Sequence, residues 1–92
     1  MPLPNDIIER VERDFGINAD AVLMKCEQLS AQLPQVFNDR VLRCIIFAAS
    51  GEIARFKHLV EAAQLDVRDV IVAGECDENW QTVRDFTKPF SN

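Results

Sequence analysis

Nine consecutive residues, Val41-Leu42-Arg43-Cys44-Ile45-Ile46-Phe47-Ala48-Ala49, are apolar on almost every side of a helix. Such a helix has to be covered on all sides. In a chain of 92 residues it is therefore expected at the centre, with the other elements wrapped around it. Asn38 and Asp39 suit its N-terminus, where a side-chain oxygen and a negative charge meet unpaired backbone N–H groups. Ser50-Gly51 closes it with a residue that tolerates positive φ. Arg40 and Arg43 alone break its apolar surface.

The flanking segments carry the stripes that would cover this helix. Asn5 is placed to cap a first helix bearing Ile7, Ile8, Val11 and Phe15, which Gly16 would end. Asn18 is placed to cap a second, in which Val22, Cys26, Leu29 and Leu33 recur at helical spacing until Pro34 stops it. After the central helix, Ile53, Phe56, Leu59, Val60 and Ala63 form another stripe. Asp66 is a suitable cap for a shorter helix with Val67, Val70, Ile71 and Gly74 on one side. The β-branched run Val70-Ile71-Val72 would also suit a strand, but no second strand is available to pair with it. Residues 74–79 read as a polar turn, and Trp80, Val83 and Phe86 at three-residue spacing suggest a last helical turn or two. The expected fold is all-α: one compact bundle of five or six short helices around the central apolar helix. Residues 1–92 form a single domain in this reading, with about 87–92 as a C-terminal tail.

Charge and composition narrow the function classes. The net charge is -5 and unevenly spread: residues 35–63 hold three acids and four bases, between flanks of six acids and three bases each. Arg40, Arg43, Arg55 and Lys57 are the single candidate patch for a phosphate backbone, so nucleic-acid binding is disfavoured. Residues 1–10 have neither a basic n-region nor a long apolar stretch, and the longest apolar run, Cys44 to Ala49, falls far short of the roughly 20 residues that span a bilayer. Cys26, Cys44 and Cys76 are odd in number and lie beside or within apolar stretches, as reduced intracellular cysteines do. A cytoplasmic protein with no membrane contact is expected.

Few residues suggest chemistry. Positions 26, 44, 58 and 76 could supply three cysteines and a histidine, but without the close pairing of a zinc knuckle, and Cys44 is too apolar in setting to be a nucleophile for His58. Glu75, Asp77 and Glu78 do not follow the calcium-loop pattern, and three glycines cannot build a phosphate-cradling loop. No catalytic residue, cofactor or metal is assigned, and an enzyme is not expected. Val67-Arg68-Asp69-Val70 and Val83-Arg84-Asp85-Phe86 repeat an apolar-Arg-Asp-apolar pattern that reads either as two anion hooks or as two solvated helix surfaces. Trp80, Phe86 and Phe90 concentrate aromatics near the end, where they either dock into a partner or seal the chain's own core.

Ala48-Ala49-Ser50-Gly51 followed by Leu59-Val60-Glu61-Ala62-Ala63 resembles the inner helices of an ankyrin repeat. The Thr-Pro-Leu-His signature is missing and nothing recurs at a period of about 33 residues, so no family is assigned. By elimination the expected function is a small protein-protein interaction module, an adaptor or regulator with a protein partner or as a homodimer. Its candidate contact residues are Arg68, Asp69, Trp80, Arg84, Asp85 and Phe90. The alternatives are a small-ligand site or minor enzyme built on the two Arg-Asp pairs, and a weak nucleic-acid binder using the central basic residues.

Overall fold

The computed structural model describes residues 3–90. Among the described residues the fold is all-α, with five α-helices: α1 (Asn5–Phe15), α2 (Ala19–Gln32), α3 (Asp39–Ala49), α4 (Ile53–Leu65) and α5 (Val67–Glu75). A 3-10 turn over Gly16–Asn18 joins α1 to α2 without a break, so the five helices form four uninterrupted helical stretches. The last helical turn expected at Trp80, Val83 and Phe86 does not form. Ser91 and Asn92, part of the expected tail, lie outside the described residues.

α3 occupies the centre and packs against α1, α4 and α5. Val41, Leu42, Cys44, Ile45, Ile46 and Ala49 are buried on it, as all-round apolarity requires. The covering stripes are the expected ones: Ile7, Val11 and Phe15 from α1, Val22, Cys26 and Leu29 from α2, and Phe56, Val60 and Ala63 from α4. Phe15 and Phe56 meet edge to face, with centroids 5.9 Å apart, and bring α1 to α4. Leu33 falls off its stripe and is exposed, because α2 ends at Gln32 and Leu33 leaves helical geometry ahead of Pro34. Phe37, in the loop before α3, has no exposed surface and completes the core from outside any stripe.

The helix ends divide into two kinds. Asn38 and Asp66 cap as expected: the Asn38 side chain accepts from the Val41 N–H at 3.0 Å and Asp66 from the Arg68 N–H at 3.0 Å. Asn5 and Asn18 do not. Asn5 is already inside α1, where the Pro4 carbonyl accepts from Ile7 and Ile8, and the 3-10 turn takes the place of a side-chain cap before α2. At the α3–α4 turn, Ser50 (φ 51°) and Gly51 (φ 79°) are both left-handed. A Cβ on Gly51 would collide with the Asp14 carbonyl, so a glycine lets this turn close against the end of α1.

Candidate functional site

After α5 the chain reverses. The Asp77 N–H donates to the Gln81 carbonyl at 2.9 Å, and Cys76 and Thr82 form an antiparallel bridge. The Val83 and Arg84 N–H groups both donate to the Glu75 carbonyl, at 2.8 and 3.1 Å. These bonds replace the i to i−4 ladder that the spacing of Trp80, Val83 and Phe86 had suggested. The Asp77 carboxylate holds the tip of the turn by accepting from the Asn79 and Gln81 N–H groups at 2.9 and 3.0 Å. Trp80 sits at this tip with φ 65°, and its side chain is 78% exposed.

Beyond the turn, residues 83–90 run back over α1 and α3, fastened by two ion pairs that the local sequence does not reveal. Glu75, expected in a solvated acidic turn, is buried. Arg40 meets it with two parallel bonds, Nε to Oε2 at 2.9 Å and Nη2 to Oε1 at 2.7 Å, while the Phe86 N–H donates to Oε2 at 3.1 Å. Arg43 is buried as well. Its Nε and Nη2 donate to Asp6 at 2.8 and 3.1 Å, and its Nη1 to the Phe86 carbonyl at 3.2 Å. The Phe90 N–H donates to Asp6 Oδ2 at 3.0 Å, tying the two ends of the described chain together. Phe86 packs between Phe47 and Phe90, with ring centroids 5.4 and 5.2 Å away.

These contacts set the charges. Donation from Arg40 lowers the Glu75 carboxyl against the opposing effect of burial, and the Phe86 N–H adds to it. Burial alone would raise Asp6, but donation from Arg43 and from the Phe90 N–H outweighs it and the carboxyl lies below its ordinary value. The folded chain therefore binds fewer protons at these sites than the unfolded chain. Their stabilisation is complete well above the ordinary values of 3.8 and 4.5 and is lost as pH falls through them to the lower folded values. Chemical melts between pH 7 and pH 3 should show stability declining below about pH 5, with a shallower decline in Glu75→Gln. A flat profile in the parent protein would contradict this assignment.

The structure separates the six residues singled out from sequence. Arg68 is exposed and paired with Asp66 at the start of α5, at 3.2 Å, and Asp69 is exposed on the same turn. Arg84 lies elsewhere, its guanidinium 4.3 Å from the centroid of the Phe47 ring. Asp85 accepts from the N–H and hydroxyl of Thr87, and those bonds lower its carboxyl. Phe90 is half-buried beneath Arg10, whose guanidinium is 4.8 Å from its ring centroid. The two Arg-Asp pairs thus do not share a concavity: Arg84 and Asp85 line a cleft of about 280 Å3 with Arg10, Phe47 and Phe90, and neither Arg68 nor Asp69 reaches it.

Other expected groupings also come apart. Of the four central basic residues, Arg40 and Arg43 are matched to carboxylates and Arg55 lies 3.6 Å from Glu52, while Lys57 is exposed with no carboxylate partner among the described residues. Glu75 turns inward while Asp77 holds its own turn, so the acidic run does not converge. Burial pushes the Cys26 and Cys44 thiols up to about 12, whereas His58 is exposed. A second concavity, about 410 Å3, lies between α2 and α4 over Val22, Phe56 and Val60, with Lys25 and Lys57 among its lining residues.

Arg10, Phe47, Asp6 and Glu75 were absent from the sequence-derived candidates, although Arg43 within an apolar helix was a signal that a carboxylate had to be found for it. Comparison of the chain with family models, curated proteins and solved structures returns no match.

Proposed function

We propose that this chain is a small protein-protein interaction module, an adaptor or regulator acting in the cytoplasm, and that Trp80 is its principal contact. The observation that carries this reading is a tryptophan 78% exposed and held at φ 65° on a turn fixed by hydrogen bonds at both sides of it. A non-glycine residue in that region costs on the order of 1–3 kcal/mol and persists where its surroundings over-determine it. The side chain gains no burial there in return. Trp is the residue type most enriched at binding hot spots, and a pre-fixed turn lowers the ordering cost of association. Val83, 54% exposed, extends the apolar surface on the same returning segment.

The test uses Trp80→Gly, since glycine adopts positive φ freely and removes the indole. The variant should melt at the same denaturant concentration as the parent, or higher. It should lose about 30-fold or more in affinity for the protein that the parent binds, whether a second copy or another chain. Sedimentation across a concentration series reads the first case and affinity capture with quantified binding the second. A partner retained by Trp80→Gly, or a parent that remains monomeric and has no Trp80-dependent partner, would refute the proposal.

A further inference from the structure

The chain has seven arginines, and six of them have a carboxylate partner: Arg10 and Arg13 share Asp14, Arg40 has Glu75, Arg43 has Asp6, Arg55 has Glu52 and Arg68 has Asp66. Arg84 has none among the described residues. Its Nη1 is shut off from solvent and has no acceptor, although buried donors are almost always matched. The ring of Phe47 supports the guanidinium face, and the Nε–Nη2 edge, which is not sealed as Nη1 is, has no acceptor among the described residues and is the edge a ligand can reach. Arg10, held through Nε by Asp14, brings a second guanidinium to 5.7 Å from the same ring. Phe86, Phe90 and Val83 supply apolar walls to the cleft of about 280 Å3 that both arginines line.

We propose that this cleft binds a carboxylate carried on a small apolar body, with the carboxylate on Arg84 and the apolar part against the phenylalanines. A planar guanidinium fork matches a carboxylate with two parallel bonds. The acidic residue of the cleft, Asp85, is turned to Thr87 and does not supply that partner. The volume suits a group the size of a phenyl ring and a carboxylate, so the ligand is either a free aromatic or aliphatic acid or the terminal carboxylate of a chain ending in an apolar residue. Trp80 does not line the cleft; Val83 is the one residue it shares with the partner surface proposed above.

The full chain, isotopically labelled, would be titrated with phenylacetate, with the peptide Gly-Gly-Phe, and with two counterparts that lack the carboxylate, Gly-Gly-Phe amide and benzylamine. Saturable shifts of the Arg84 Nε–H and the Phe47 ring are expected with the two acids and not with the amide or the amine. The tighter of the two acids distinguishes a free acid from a chain terminus. Arg84→Gln should weaken binding on the order of 10- to 100-fold, while Arg68→Gln leaves it unchanged. Because Arg84→Gln could loosen the packing over Phe47, its urea midpoint is measured alongside, and Arg84→Lys, which keeps the charge but loses the fork, should bind more weakly than the parent. Trp80→Gly should bind the acids as the parent does, which separates this site from the partner surface. Absence of a carboxylate-dependent shift at millimolar probe, or undiminished binding by Arg84→Gln, would overturn the proposal.

Discussion

Replacing Asp6 by alanine should cost about 3–5 kcal/mol, the usual penalty for stranding one member of a buried ion pair. The guanidinium left behind, on Arg43, is 6% exposed and cannot recover its hydration without opening the core. The Phe90 N–H loses its acceptor in the same step. A folded chain of 92 residues has roughly 5–14 kcal/mol in all, so this single change should remove a large part of the stability and free the returning segment first. Glu75→Ala should be milder even though Glu75 is more deeply buried than Asp6, because Arg40 is 41% exposed and can turn to water. Urea melts of the two variants, with amide exchange at Phe86 and Phe90, check the ranking. The control is Asp6→Leu combined with Arg43→Met. It removes both charges, leaves no stranded ion, and should recover most of the stability lost in Asp6→Ala. Asp6→Ala at or above Glu75→Ala in stability would mean that Arg43 finds another way to be satisfied.

That contrast also marks where sequence reading reached its limit. The stripes on α1, α2 and α4 were legible because a helix repeats its buried face every three or four residues, and the pattern is local. The partners of Arg40 and Arg43 were not, since they lie 35 and 37 positions away along the chain. With fifteen acids to choose from, an arginine inside an apolar helix demands a carboxylate without saying which. Read locally, Arg40 and Arg43 resembled a basic patch and Glu75 a solvated turn, and only the folded arrangement pairs them. Trp80, Val83 and Phe86 failed for the opposite reason: their spacing is helical, but the Asp77 side chain competes for the backbone N–H groups that a helix would need. The aromatic end was legible as a question with two answers, and the structure divides it: Phe86 packs inward, Phe90 is half-buried, and Trp80 points out.

Gly74→Ala should destabilise by about 2–4 kcal/mol, although intrinsic propensity favours alanine in a helix by roughly 1 kcal/mol. The two effects oppose each other, and the geometry decides between them. A Cβ on Gly74 would lie 2.6 Å from both Cα and Cβ of Cys44 and 2.9 Å from its sulfur. Two of those three neighbours are fixed to the backbone of α3, so no rotamer change can relieve the contact and α5 must move away from α3. That movement also shifts Glu75, the next residue, which holds Arg40 and the Phe86 N–H. Strain at the crossing should therefore reach the returning segment and appear as faster exchange there. Cys44→Ala cannot rescue the variant, because it removes the sulfur and leaves both carbons in place. Cys44→Gly removes the Cβ as well, at a cost of its own in helix propensity and lost packing. In the double mutant it should be less destabilising than the sum of the two single changes by more than 0.5 kcal/mol, the margin beyond which neighbouring sites count as coupled. Simple additivity, or a stabilised Gly74→Ala, would show that α3 and α5 do not approach this closely at Cys44.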